Sequence, residues 1–478
     1  MTNSSDVFVA IDQGGHATRA VAFDATGKRL ASAFAGISTH RNALGHVEHD
    51  GEELVASVRS AASELATLVP ATRWAAAGLA VQRSTVACWN SDTGALLAPV
   101  ISWQDRRQAG WLERLKRSAA RVHELTGLPL SPHYGASKLR WCLDHVAAVR
   151  EARAAGRLRA GPLASLLLNR LLEERPCVAD EANASRTQLW SPLARDWVTE
   201  LLDLFGVPRE ILPAVSPTEA PFGTLVAGDV RVGISVCTGD QAAVPFASGE
   251  LDPDAVYVNL GTGAFALRPA PQAVIAPPML SSVLRSDAAG VDFVMEGTVN
   301  GAGSALEWFE QREGLPAQRL LSGLERAPAF AEAAPFFLNG VSGLGSPFWV
   351  PEFESRYEGE AEPAERFRAV VESIAFLLRA NLDELARVAG RPARIVLSGG
   401  LARSGFLCRT LASLTDLPVH RLDDPEATAR GLAFLVAGQP GGWKAPTLEA
   451  FGPLPDQTLL ARYLKWLGLM DAALPRRG

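Results

Sequence analysis

The sequence predicts an α/β protein of two domains facing each other across a cleft. Three observations carry that reading. The chain has 478 residues, more than a single hydrophobic core usually gathers. Short β-branched runs that stop at glycines alternate with stretches whose apolar residues recur at helical spacing. One signature, strand then glycine turn then strand, occurs twice, first at Asp12-Gln13-Gly14-Gly15 and again at Gly261-Thr262-Gly263, about half a chain later.

The elements follow in order. Val7–Ile11 reads as a strand, Asp12–Gly15 as its turn, and Thr18–Phe23 as the returning strand. Asp50 reads as a helix N-cap, with Glu53 completing a capping box. The helix it starts is expected to bury Leu54, Val55, Val58, Ala62, Leu65 and Leu68. Trp74–Val81 is the next strand and delivers Gln82-Arg83-Ser84 to its C-terminal end. A hairpin then leads to Trp103, where Gln104–Arg107 is expected to open a helix. Arg83 donates in a fixed fork and Trp103 supplies an apolar wall, a combination that suits a small hydroxylated ligand. Asn183–Thr187 reads as a polar turn.

Val230–Val236 is an apolar strand that ends at Cys237-Thr238-Gly239. Asp240-Gln241 follow at its C-terminal edge, where open α/β sheets put their ligands. A short helix begins beside them, and its free N–H groups favour a nearby anion. Ala255–Leu260 and Ala264–Leu267 flank Gly261-Thr262-Gly263, a hairpin whose bare amides can close on a phosphate. Glu365–Val388 is a long amphipathic helix. Arg394–Leu397 is a strand ending in Ser398-Gly399-Gly400, where two glycines let a ligand lie against the backbone. Asp424 is read as the cap of a helix that begins at Pro425-Glu426.

Composition narrows the function classes. No run of eighteen apolar residues appears, and the first residues lack an export signal. The five cysteines are widely spaced and odd in number, which argues for reduced cytoplasmic thiols and against zinc. A net charge of −6 offers no footprint for nucleic acid, and the basic run Arg106–Arg121, which alternates with acids and apolar residues, reads as a solvated helix face. There is no P-loop, no G-x-G-x-x-G after the first strand, no H-E-x-x-H and no G-x-S-x-G. His46, Glu48 and His49 are read as surface residues.

An ordered set of motifs remains: AIDQG with Arg19, VQRST, ISWQDRR, TGLPLSP with Lys138 and Trp141, NASRT, TGDQAA, NLGTGAF, EGTVNGAGSALEW, LSGGLARS and PEATARGLAF. Along nearly its whole length the chain resembles the FGGY carbohydrate kinases, and the glycerol kinase branch most. The resemblance implies two ribonuclease-H-like domains of the actin, heat-shock chaperone and hexokinase superfamily around a deep interdomain cleft. Residues 1–248 would form the N-terminal domain and 249–478 the C-terminal, nucleotide-binding domain. It implies ATP-dependent phosphorylation of a terminal hydroxyl of a small polyol or sugar, with ATP and Mg²⁺ in the cleft. Glycerol kinase proper, or a catalytically weakened binding homologue, stay open as alternatives.

Carried over position by position, Asp240 is implied as the general base. Arg83, Trp103, Gln241 and Phe265 would hold the substrate. Asp12, Gln13, Gly14, Arg19, Gly261, Thr262, Gly263, Gly303, Gly399 and Gly400 would line the nucleotide and phosphate site, with Mg²⁺ on Asp12 and Asp240. The expected partner is a small polyol or sugar, with no nucleic acid and no membrane, and a homodimer is the assembly to test. The chain also departs from the glycerol kinase pattern. Ser84 stands where those enzymes carry Glu, His133 where they carry Tyr, and Gly15-His16 where their first phosphate loop carries two threonines. Ser404 replaces an Asn of the nucleoside motif.

Overall fold

The computed structural model describes residues 6–325, 334–424, 426–444 and 446–475. Two large mixed sheets dominate it. The six-stranded sheet runs Glu219–Ala227, Val230–Gly239, Trp74–Val81, Val7–Gln13, Ala17–Asp24, Arg29–Gly36. The seven-stranded sheet runs Leu280–Ser286, Val291–Val299, Ala264–Ala270, Ala255–Leu260, Arg394–Ser398, Val419–Leu422, Leu448–Phe451.

The two sheets share an internal plan. In each, a hairpin and a third strand pair antiparallel, and two further strands then add in parallel beside the hairpin's first strand. Val7–Gln13 therefore corresponds to Ala255–Leu260, and the turn after Asp12 to Gly261-Thr262-Gly263. This is the ribonuclease-H-like order, present twice. Parallel strands need long crossovers, and here those crossovers carry the helices and the smaller sheet.

Each large sheet has its own core. In the first, Val7, Val9, Leu79 and Val81 pack against Leu54, Val58 and Leu65 of the Gly51–Leu68 helix. In the second, Val256, Val258 and Leu397 pack against Phe367, Ile374 and Leu378 of the Pro363–Ala389 helix. A third cluster packs beneath a five-stranded sheet that includes Val86–Asn90 and Leu158–Pro162.

A fourth cluster joins the two large sheets. Phe8, Ala10 and Val236 meet Tyr257, Leu267 and Val396, with Leu432 and Val436 of the Ala427–Val436 helix in the same seam. That helix lies directly on the first sheet: a Cβ on Gly78 would come within 2.6 Å of Val436 Cγ2. Where it crosses Ala242-Ala243, a Cβ on Gly431 would overlap the Ala243 carbonyl oxygen. Only glycine permits that approach.

Several local expectations need correction. Asp50 does cap its helix, accepting from Glu52 N at 2.8 Å, but Glu53 does not close a capping box. Its carboxylate turns to Ser38, accepting from the backbone N at 3.0 Å. Leu68, in the last turn of the same helix, is exposed and not buried, because the core contact of the helix ends at Leu65. Gln104–Arg107 forms turns, and the helix starts only at Ala109. Arg107 does not sit on a solvated face: its guanidinium is held by Asp105 and Glu48 and lies over Trp141 at 4.3 Å. His49 is buried, with Nδ1 bonded to Ser38 O at 3.0 Å. Pro425 lies outside the described residues. The last interdomain helix begins at Ala427, with Glu426 as N-cap and Asp424 Oδ1 accepting from Glu426 N at 2.9 Å.

Candidate active site

Three strand ends bring the site together. Val230–Gly239 extends through Thr238 and Gly239, and Asp240 is the first residue of the short Asp240–Ala243 helix. Its carboxylate, 26 % exposed, lies 3.8 Å from Arg83 Nε, and Arg83 hangs from the loop after Trp74–Val81. Gly239 carries no side chain because a Cβ there would strike Arg83 Cγ at 2.7 Å. Burial raises the Asp240 carboxyl above the usual range, while the Arg83 guanidinium pulls it back down. A carboxylate so placed can take a proton from a ligand hydroxyl.

Asp12, at the end of Val7–Gln13, feels Asp240. Its carboxyl is pushed up to about 7, first by burial and then by the Asp240 charge, with Arg19 working in the opposite direction. Two carboxylates that raise each other's cost of ionisation form a site that a divalent cation would relieve. No group of three or more His, Cys, Asp or Glu side chains able to hold a metal occurs among the described residues. An ion here would therefore lean on these two carboxylates and on ligand oxygens. Arg19 reaches from Ala17–Asp24 to Glu426, Nε to Oε2 3.7 Å, and is 42 % exposed.

The first hairpin is braced from behind. Gln13 is fully buried, and its Nε2 donates to Gly14 O at 2.7 Å. It shapes the loop and does not face the cleft. Gln82 Nε2 donates to the same carbonyl at 3.2 Å, Thr85 Oγ1 donates to Gln82 Oε1 at 3.0 Å, and Trp103 N donates to Thr85 Oγ1 at 3.1 Å. This chain ties the turn to the Trp103 wall. A Cβ on Gly15 would stand 3.9 Å from Trp103 Nε1, so the indole lies against the turn. His16, at its tip, is exposed.

The second hairpin faces the same space. Phe265, on its returning strand, lies 5.9 Å from the Arg83 guanidinium. Gln241 Oε1 accepts from Asn259 Nδ2 at 2.9 Å, so this predicted ligand-holding carbonyl is spent on a bond to the second sheet. Gly303 N donates to Gly261 O at 3.0 Å, and Ser304 N to Thr262 O at 3.0 Å, which seats the Gly303–Glu313 helix directly on the turn. Gly399 has φ +91°, and a Cβ there would come within 2.5 Å of Leu260 O. It lies beneath Gly400, which opens onto a cavity of about 660 Å³. Gly261, Thr262, Gly303, Ser404 and Arg403 also line that cavity, a volume suited to a nucleoside.

Sequence reasoning missed the pair that locks the centre. Glu296, in Val291–Val299, is fully buried between two cations: Oε2 accepts from Arg83 Nη1 and Oε1 from Arg186 Nη2, each at 2.9 Å. Burial pushes the Glu296 carboxyl up, but Arg186 and Arg83 together hold it below its usual range. Arg186 follows the one-turn Glu181–Ala184 helix, in a stretch expected to be a polar turn, and is buried. The signal was available: a lone carboxylate inside the apolar run Phe293-Val294-Met295-Glu296 must find a cation. Lys138 is also buried, donating from Nζ to Ser84 O at 3.0 Å and to His133 O at 2.6 Å.

Comparison with known proteins agrees with this geometry. Residues 7–258 match the N-terminal domain, and residues 256–438 the C-terminal domain, of the FGGY family of carbohydrate kinases. A glycerol kinase of Shewanella frigidimarina is 32% identical over 448 residues, covering 91% of this chain and 90% of that protein. One of Allorhizobium ampelinum is 33% identical over 461 residues, covering 93% and 92%. The crystal structure of Plasmodium falciparum glycerol kinase with ADP superposes with a TM-score of 0.90 at 20% identity, over 98% of this chain and 99% of that one. No helix among the described residues is long and apolar enough to cross a membrane. Two repeated folds and a match that spans the chain lead to one assignment: this protein belongs to the FGGY family of carbohydrate kinases, which move the terminal phosphoryl group of ATP onto a polyol or sugar.

Proposed function

We propose that this kinase phosphorylates a terminal hydroxyl of a small polyol or sugar, with Asp240 as the base. Residues 1–248 form the substrate half and residues 249–478 the nucleotide half. Asp240 takes the hydroxyl proton, the oxygen attacks the γ-phosphorus, the bond to the β–γ bridging oxygen breaks, and ADP leaves. Arg83, Trp103 and Phe265 hold the acceptor. Gly14, Gly261, Thr262 and Gly263 lie against the phosphates, Arg19 adds positive charge at the rim, and Gly303, Gly399 and Gly400 make room for the nucleoside. Gln13 and Gln241 act by positioning the two loops. Asp12 and Asp240 would hold Mg²⁺, which when bound neutralises charge on the phosphates. All five cysteines are unpaired, which accords with a cytoplasmic enzyme.

The observation that supports this reading is the Asp240 carboxylate, 3.8 Å from Arg83 and within the electrostatic reach of Asp12. ADP release is to be followed over glycerol, tetritols, pentuloses and hexoses, with Asp240→Asn as control. Turnover of at least one acceptor that falls away in the variant supports the reading. Absence of turnover on all of them, or equal turnover by the variant, refutes it.

A further inference from the structure

Resting on the kinase reading, we propose that the acceptor is an acid: a small polyhydroxy carboxylate whose anionic end sits among Arg83, Trp103 and His133 while one hydroxyl meets Asp240.

A hydroxyl group wants both donors and acceptors, whereas a carboxylate wants donors only. The acceptor side chains around this pocket are almost all in use. Glu296 has one oxygen on Arg83 and the other on Arg186. Gln241 has its carbonyl on Asn259. Ser84 sits in the left-handed region at φ 65° and turns back on the protein, its hydroxyl donating to Arg186 O at 3.3 Å and its carbonyl accepting from Lys138. That leaves Asp240, which the transfer itself needs, and the single acceptor nitrogen of His133.

Donors are in surplus. Arg83 spends Nη1 on Glu296 and has Nε 3.8 Å from the Asp240 carboxylate, which leaves Nη2 without an acceptor among the described residues. The Trp103 indole N–H has no acceptor among the described residues. The His133 ring, 5.6 Å from Trp103 and 4.9 Å from Tyr134, adds another edge.

Charge points the same way. Arg83, Arg186 and Arg106 act on His133 against the carboxylates of Glu296 and Asp240, and Lys138, pulled down to about 7 by burial, adds part of a further charge. Asp105, which also acts on Lys138, is already held by Arg107. Arg186 is 3% exposed, and its Nε and Nη1 have no hydrogen-bond partner among the described residues. His133 reports the resulting field. Burial first, then Lys138, Arg186, Arg83 and Arg106, hold its imidazole well below its usual range, so the ring is neutral while its surroundings are positive. An acidic ligand balances that surplus, and charge-assisted bonds to a guanidinium are the strong kind.

The test measures binding separately from turnover. Calorimetry on the full chain, with Mg²⁺ and a nonhydrolysable ATP analogue, compares matched pairs: glycerate with glycerol, erythronate with erythritol, xylonate with xylitol. The expected result is an acid bound at least tenfold more tightly than its alcohol, with a gap that narrows as salt rises. Ser84→Glu should weaken that acid at least tenfold. Arg106→Ala should weaken it several-fold, and is the second variant should the first fail to fold. Alcohols bound as well as or better than their acids, or no acid bound at all, overturn the proposal. Phosphorylation of a neutral polyol with the acids ignored overturns it while leaving the kinase reading intact. An acid bound without phosphoryl transfer to any acceptor overturns both the proposal and the kinase reading.

Discussion

Arg83 Nη1 donates to Glu296 Oε2 at 2.9 Å, and this bond joins a strand end of the first sheet to an inner strand of the second. Arg186 holds the other oxygen at 2.9 Å. All three side chains are buried, so removing the charge in the middle strands two guanidiniums away from water. Glu296→Gln is expected to destabilise the protein by about 3–5 kcal/mol, the usual cost of breaking a buried ion pair from one side. Urea unfolding measures it. A loss below about 1 kcal/mol would mean that water reaches the arginines.

Asp240→Asn keeps the size of the side chain and removes its basicity. The expected result is a fall in kcat of about 10²–10⁴, the range typical of a lost general base. ATP binding, read by calorimetry, should remain. A variant that loses nucleotide affinity as much as turnover would place Asp240 in binding and not in proton transfer.

Lys138 gives the chain a pH dependence. Burial pulls its ammonium down from 10.5 to about 7, with Asp105 partly restoring it. The folded state therefore holds this proton less tightly than the unfolded chain. Between about pH 7 and 10.5 the unfolded chain binds more protons, so this group's contribution makes stability rise with pH across that window, by at most about 1.4 kcal/mol per pH step. Below the window the full cost of a buried charge is present. Lys138→Met should flatten the slope, as read from denaturation midpoints at several pH values. An unchanged slope would assign it to other groups.

Gly303 supports the Gly261-Thr262-Gly263 hairpin by being small. A Cβ there would stand 2.8 Å from Gly261 O and 3.3 Å from Thr262 Cα, both backbone atoms with little room to yield. Gly303→Ala should raise the KM for ATP about tenfold, equivalent to ~1.4 kcal/mol. The melting temperature should change little, because the helix behind it keeps its own packing. An unchanged KM would mean that the turn shifts without cost.

Much of this could be read from the residues. The two hairpins, their parallel neighbours and the position of Asp240 at a strand end all follow from apolar runs stopped by glycine. The polar braces could not be read that way. Gln13 belongs to a motif that pointed to the ligand, yet it bonds Gly14 because a tight turn leaves a carbonyl to satisfy. Gln241 likewise turned to Asn259, eighteen positions along the chain, which no local pattern reveals. Arg107 looked like part of a solvated face until Asp105 and Glu48 supplied two carboxylates beside it. Long-range pairing of charges is set by how the sheets meet, and spacing along one strand carries no trace of it.

The close approach of Gly431 to Ala243 is a hard stop between the two large sheets. The backbone of the Ala427–Val436 helix is pressed on the Ala243 carbonyl, three residues after Asp240, so neither element can advance toward the other there. A bulkier residue at 431 would act as a doorstop. Gly431→Val should leave the jaws ajar, admitting water and raising acceptor-independent ATP hydrolysis relative to sugar phosphate formation, a ratio that paired ADP and product assays read directly.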